Sequence, residues 1–165
     1  MGIQNCRCHA CGKGVINMEQ GIQNKFTIES VRLYGCYFLS LLRFGEMLQH
    51  EKHLFTDQEI ADFYYKYVKC GWLEADCFVV NPTAILRDVS NVVKNWEVAK
   101  ATNTPTEDIF VTYLKRKASV PVNGVEPLGH FILQWNDGGK IITWDSCAIA
   151  QLWGKYQIDS YRVFT

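Results

Sequence analysis

The sequence carries no net charge, because its 17 lysines and arginines are balanced by 17 aspartates and glutamates. It contains no apolar run approaching the length of a membrane span. Its first residues lack the basic start and apolar centre of a signal peptide. These absences argue against a general attraction to nucleic acid or anionic membranes, and against a membrane-spanning protein. We therefore expect a cytoplasmic protein that binds no nucleic acid.

Cysteine is plentiful but odd in number, with seven residues of which three crowd positions 6, 8 and 11. A secreted disulfide framework is usually even in number and spread along the chain. The pattern therefore favours a reducing compartment, where some cysteines fill the core, some bind metal and one is catalytic. At 165 residues and 48% hydrophobic composition, the chain is long and apolar enough for one packed domain. Nothing in this composition indicates an oligomeric state.

Residues 1–25 differ from the rest, and we interpret them as an N-terminal arm or small appendage preceding a domain at 26–165. The segment Cys8-His-Ala-Cys11-Gly12 has the C-x-x-C-G pattern of a zinc knuckle, whose backbone amides wrap the metal. A second C-x-x-C is missing, so the remaining ligands would come from Cys6, His9 or the distant Cys70 and Cys77. A structural zinc site at Cys6, Cys8, His9 and Cys11 is one interpretation, and a flexible arm with exposed thiols is the other.

The order of the predicted elements is helices first and strands later, which favours an α+β fold. Residues 36–49 would be apolar on nearly every face of a helix, which predicts that this helix is buried. Thr56-Asp-Gln-Glu59 is a capping box that predicts a helix ending before Gly71, and Pro82 begins helical spacing that continues to Val93. Strands are predicted at 96–99, 109–114, 129–145 (a hairpin turning at 136–139) and 161–164.

Three residues in this plan suggest a thiol-based acyl-transfer site. Cys36 follows Gly35 at the start of the buried helix, where unpaired N–H groups favour the thiolate, which is the nucleophile. His130 follows Gly129 near the start of one hairpin strand, and Asp145 ends the next. Since adjacent strands lie about 5 Å apart, the aspartate can hold the imidazole while its other nitrogen faces the thiol. Taken alone, Cys36 is equally well explained as a cysteine of the core, His130 as a histidine within a strand, and Asp145 as a turn residue.

The segments around these residues resemble the papain-like cysteine peptidase superfamily: Tyr34-Gly-Cys-Tyr-Phe38, Gly129-His-Phe-Ile-Leu133 and Ile142-Thr-Trp-Asp145. The bacterial and phage group similar to double-glycine leader peptidases is the nearest branch. The resemblance implies a papain-like fold in which the helical half bearing the cysteine packs on an antiparallel sheet. It implies Cys36 as nucleophile, His130 as general base and then acid, and Asp145 as orienter, without a catalytic cofactor. The implied function is a cysteine peptidase or amidase acting on a peptide or peptidoglycan-like substrate.

The chain departs from this family pattern at two positions beside the nucleophile. The family usually has a glutamine about six positions before the cysteine, which donates to the oxyanion. Ser30 stands there, and the nearest upstream glutamine, Gln23, is too far away in sequence to match. The bulky Tyr37 follows the cysteine where many relatives have a small residue, so Ser30 and Tyr37 are the predicted oxyanion and substrate-binding positions. An acyltransferase or transglutaminase-like enzyme and a non-catalytic binding module on a degenerate peptidase fold are the alternatives.

Overall fold

A computed structural model describes residues 22–49, 54–119, 128–147 and 154–165. The arm with Cys6, Cys8, His9 and Cys11 lies outside the described residues. After a short 3₁₀ helix at Ile22–Lys25 come four α-helices and then five β-strands. The helices are α1 (Glu29–Tyr34), α2 (Cys36–Leu48), α3 (Asp57–Cys70) and α4 (Pro82–Ser90), and the strands are β1 (Val98–Ala101), β2 (Ile109–Arg116), β3 (Gly129–Asp137), β4 (Lys140–Trp144) and β5 (Tyr156–Phe164).

The helix α2 lies at the centre of the core, as its apolar sequence predicts. Phe38, Leu39, Leu41 and Leu42 are completely shielded from solvent. At Gly45 the backbone of α2 comes so close to Val89 of α4 that a Cβ there would collide with the valine side chain. Burial on every face explains why the sequence of this helix lacks a polar side.

Local capping chemistry sets the ends of the next two helices. The Thr56 hydroxyl accepts from the Glu59 N–H while the Glu59 carboxylate accepts from Thr56, which confirms the capping box. The helix α3 ends at Gly71 in the left-handed conformation, as predicted. The helix α4 begins at Pro82 as predicted. It ends at Ser90, so the prediction that helical spacing continues to Val93 was wrong. Asn91 adopts a left-handed conformation with φ 52° and ends the helix.

The five strands form one antiparallel sheet in the order β1-β5-β2-β3-β4. The β3–β4 hairpin confirms the predicted turn, with two glycines at positive φ following Asn136 and Asp137. The predicted starts of two strands were wrong. The strand β5 begins at Tyr156 rather than at 161, and β1 begins at Val98 rather than at 96. The alternation of β3 places Leu133 and Trp135 against the helices, while Ile132 packs on the other face with Leu114 and Tyr156.

The described residues thus form an α+β fold of helices packed on an antiparallel sheet, which confirms the predicted class at this level. None of the helices in the described ranges has the length and apolar character needed to cross a membrane. The 3₁₀ helix lies within the predicted arm at 1–25, but it contributes a buried side chain, Gln23, to the packed domain.

Candidate active site

The site lies where the edge of β3 is left uncovered by the end of β4. The last paired residues at this end of the hairpin are Leu133 and Trp144. His130 lies in the part of β3 that β4 does not reach, and Asp145 directly follows Trp144 at the end of β4. Their side chains meet there, with His130 Nε2 2.6 Å from Asp145 Oδ1.

Cys36 approaches this edge from the helical layer. It is the first residue of α2, and its sulfur accepts a hydrogen bond from the backbone N–H of Phe131 at 3.5 Å. The Cys36 side chain is also close enough to hydrogen-bond the His130 imidazole. Because Asp145 engages Nε2, the nitrogen left for the sulfur is Nδ1. Cys36 is partly exposed, whereas His130 and Asp145 are buried.

Two glycines permit this close approach. A Cβ at Gly35 would lie 2.4 Å from the carbonyl oxygen of Val31, so only glycine joins α1 to α2 without moving the backbone. A Cβ at Gly129 would lie 2.1 Å from the Tyr113 hydroxyl, whose ring covers the start of β3. The glycines that precede the cysteine and the histidine in sequence are therefore explained by packing.

The electrostatics of His130 favour its charged form. Burial by itself lowers the pKa of the imidazole, but hydrogen bonds to Asp145 and Cys36, together with their negative charges, outweigh burial and raise that pKa to about 9 from the ordinary 6.5. The imidazole is therefore a cation at neutral pH, held between a carboxylate and a sulfur atom. Asp145 Oδ1 also accepts from the Cys147 N–H at 2.9 Å, which fixes the carboxylate from a second side.

Two further thiols near the site are held in the protonated form. Burial raises the pKa of Cys77 to about 12, against the opposing effect of a hydrogen bond with Ser30 and with further raising by Asp76 and Cys36. Burial also raises the pKa of Cys147 to about 12, and the charges of Cys36 and Asp145 act in the same direction. Cys77 additionally has a left-handed backbone with φ 69°, a strained conformation for a residue other than glycine. Neither thiol is a good nucleophile near neutral pH.

The two positions predicted to surround the nucleophile are both engaged by neighbours. The Tyr37 ring stacks on Phe131 with centroids 4.3 Å apart, and Phe131 in turn contacts Tyr113. This stack ties the residue after Cys36 to the residue after His130. The Ser30 hydroxyl donates to Tyr64 Oη at 3.1 Å, so its proton points to another side chain rather than to open space.

Gln23 is the residue that sequence reasoning missed. Its side chain is 1% exposed and contacts the turn after Asp145, where Ser146 and Cys147 donate to its Oε1. Its Nε2 donates to the Arg32 carbonyl at the end of α1. The separation in sequence hid this contact, because Ser146 follows Gln23 by 123 positions. No local pattern signals such a pairing.

A metal site is not evident in the described part of the chain. No group of three or more His, Cys, Asp or Glu side chains within the described ranges is arranged to hold a metal ion. The zinc ligands predicted at Cys6, Cys8, His9 and Cys11 belong to the residues outside those ranges. A structural zinc there stays a prediction, to be checked by metal analysis of the purified protein.

The raised pKa of His130 predicts how stability depends on pH. Between about 6.5, the ordinary pKa of histidine in an unfolded chain, and about 9, His130 binds more protons in the folded protein than in the unfolded one. The contribution of His130 to the free energy of unfolding should therefore be fully present below pH 6.5 and should decrease as the pH rises towards 9. Urea titrations between pH 6.5 and 8 measure this, below the range in which ordinary thiols ionise.

Asp145→Asn is the control for that pH dependence. It keeps the size of the side chain but removes the charge that raises the His130 pKa, so the slope between pH 6.5 and 8 should flatten. An equal slope in both proteins would show that the pH dependence comes from other groups.

Comparison with known proteins gives a family but no function. No curated protein and no solved structure matches the chain. One family model, described as a protein of unknown function, DUF261, matches residues 18–165. That match includes every described residue of the site and almost the whole chain, and the protein therefore belongs to the DUF261 family.

Proposed function

We propose that the protein is a thiol-dependent hydrolase, a cysteine peptidase or amidase of papain-like architecture that cleaves an amide bond. The observation that carries the proposal is the meeting of Cys36, His130 and Asp145 at one uncovered sheet edge, with the thiol partly exposed and its partners buried. A core cysteine needs neither a buried imidazole nor a carboxylate behind it. Nucleophile, base and orienter in hydrogen-bond contact are the arrangement that thiol catalysis requires.

Acylation follows from the charges of the site. An imidazolium beside a thiol favours the thiolate, and the Phe131 N–H directed at the sulfur adds a second donor. The thiolate attacks the carbonyl carbon of the amide, and the electron pair of the C=O bond moves to oxygen. The tetrahedral adduct then expels the amine, which takes the proton of His130 Nδ1 and leaves a thioester on Cys36.

Deacylation reverses the proton transfer. The now neutral His130 accepts a proton from water, the resulting hydroxide attacks the thioester, and the thiolate of Cys36 leaves as the carboxylic acid forms. Throughout both steps Asp145 holds Nε2 and stabilises the imidazolium, so Nδ1 stays directed at the sulfur.

The oxyanion is stabilised by the start of α2. The first N–H groups of a helix have no helical acceptor, and the helix dipole is positive there. Cys36 is the first residue of α2, so its own N–H lies beside the carbon that its sulfur attacks. This backbone donor takes the place of a side-chain donor, since the Ser30 hydroxyl is directed to Tyr64.

The substrate class proposed is a peptide or a peptidoglycan-like cross-link. The support is the resemblance of the segments around Cys36, His130 and Asp145 to small bacterial and phage peptidases, which is an analogy of fold rather than of pocket shape. The same thioester passed to an amine instead of water would give a transglutaminase-like acyl transfer, so assays include a primary amine acceptor.

Selective alkylation tests whether the site is activated. Iodoacetamide at mildly acidic pH, followed by peptide mass mapping, should modify Cys36 first among the described cysteines. Cys77 and Cys147 should stay unmodified because burial holds their pKa near 12. The exposed Cys70 serves as the internal reference for an accessible thiol that is not paired with His130.

His130→Gln is the matched variant for this labelling. It retains a polar side chain but removes the imidazolium, so Cys36 should then react no faster than Cys70. If Cys36 and Cys70 react at the same rate in the unmodified protein, the thiol is not activated and the binding-module interpretation replaces the hydrolase. If Cys36 is labelled selectively, hydrolysis assays on peptide and peptidoglycan fragments follow.

A further inference from the structure

Gln23 connects the two halves of the site through both ends of its side-chain amide. On one side, Oε1 accepts from Ser146 Oγ at 2.7 Å and from Cys147 Sγ at 3.0 Å. The backbone repeats the contact, because the Gln23 N–H donates to the Ser146 carbonyl at 2.9 Å. These residues directly follow Asp145, whose carboxylate accepts from the Cys147 N–H. The turn that carries the carboxylate is therefore held by Gln23.

On the other side, the amide binds the last turn of α1, directly before α2 begins. Gln23 Nε2 donates to the Arg32 carbonyl at 3.2 Å. In an unbroken helix this carbonyl would accept from the N–H of Cys36, four residues later. The helix is instead interrupted at Gly35, where α1 ends and α2 begins. The glutamine thus satisfies the carbonyl that the break leaves without its helical donor, and the Cys36 N–H stays outside the α1 ladder.

We propose that Gln23 is a positioning residue, which sets the Asp145 turn relative to the start of α2 and so keeps His130 aligned between its two partners. The effect of Gln23 on catalysis rests on the proposed function, whereas its effect on the position of His130 does not. Gln23 does not contact the reacting atoms, because both ends of its amide are bonded within the protein. Its burial, at 1% exposure, makes each lost hydrogen bond costly and the alignment rigid.

The experiment compares the full-length protein with Gln23→Met, which keeps the volume of the side chain and removes both hydrogen-bonding ends. The first readout is the proton resonance of His130 Nε2–H, whose strong downfield shift reports a short hydrogen bond to a carboxylate. The second is the rate of Cys36 alkylation by iodoacetamide. We expect the resonance to move upfield or broaden and the alkylation to slow by about five- to tenfold, the rate equivalent of one ordinary hydrogen bond or slightly more.

Gln49→Met is the matched control. The Gln49 side chain also donates to a backbone carbonyl of another element, that of Val89 at 2.6 Å, but it lies at the opposite end of α2. It should lose comparable stability while leaving the His130 resonance and the Cys36 rate unchanged. Should Gln23→Met fail to fold, Ser146→Ala removes one donor to the same Oε1 from the other side and should shift the resonance in the same direction.

Two results would overturn the inference: a His130 resonance in Gln23→Met identical to that of the unmodified protein, or the same change in Gln49→Met. Neither readout needs a substrate. A shifted resonance in a protein that hydrolyses nothing would therefore support the positioning role and count against the hydrolase alone.

Discussion

Cys36→Ala should abolish amide hydrolysis while leaving the protein folded. The substitution removes the only atom in the described site that forms the thioester, so no alternative route through this site remains. It removes one partly exposed sulfur atom rather than a packed core group, so the free energy of unfolding should change little. Hydrolysis assays and urea denaturation on the same preparation measure both effects.

Leu41→Ala, on the same helix, should have the opposite effects: it should lower stability and leave activity intact. Leu41 is completely buried, and its truncation should lower the free energy of unfolding by about 2–5 kcal/mol. The folded fraction of this variant should retain activity. If instead Cys36→Ala loses several kcal/mol and leaves activity unchanged, Cys36 is an ordinary core cysteine and the protein is a binding module.

His130→Ala should damage both activity and stability. Loss of the general acid and base should slow hydrolysis by about 10²–10⁴-fold. The substitution also leaves Asp145, which is completely buried, without the cation at 2.6 Å, and breaking such a pair costs about 3–5 kcal/mol. His130→Ala should therefore lower the free energy of unfolding, whereas Cys36→Ala should not, because only His130 is paired with a buried charge.

The double variant His130→Ala/Asp145→Ala separates the two effects. With both partners removed, no charge is left buried alone, so much of the lost stability should return although the activity does not. Denaturation of the two single variants and the double variant gives the coupling energy of the pair. Strictly additive losses in stability would mean that His130 and Asp145 do not support each other in the folded protein.

Sequence predicted the local features of this fold well, because local chemistry determines them. The capping box at Thr56 and the buried character of α2 need only residues a few positions apart, and both predictions are confirmed. The end of α4 was misplaced, since apolar spacing continues past Asn91 although that residue turns into the left-handed conformation. The short helix α1 has no cap or long periodicity and was not predicted.

The candidate site divides in the same way. Sequence singled out Cys36, His130 and Asp145 from their glycines and strand ends, and the structure brings these three together. It set aside Gln23 by counting positions along the chain, whereas the contact with Ser146 depends on how distant segments pack. The papain-like assignment and the peptidase activity stay proposals, because the family match carries no function.

The most direct test of the central claim is an NMR titration of the His130 imidazole in the unmodified protein and in Cys36→Ala. We expect His130 to titrate near pH 9 in the former, and at a lower pH in the variant, because the hydrogen bond and charge of Cys36 raise its pKa. Cys70→Ala, which changes an exposed cysteine, should leave the titration unaltered. A His130 that titrates near its ordinary value of 6.5, with the same midpoint in both proteins, would contradict the thiol–imidazole pair.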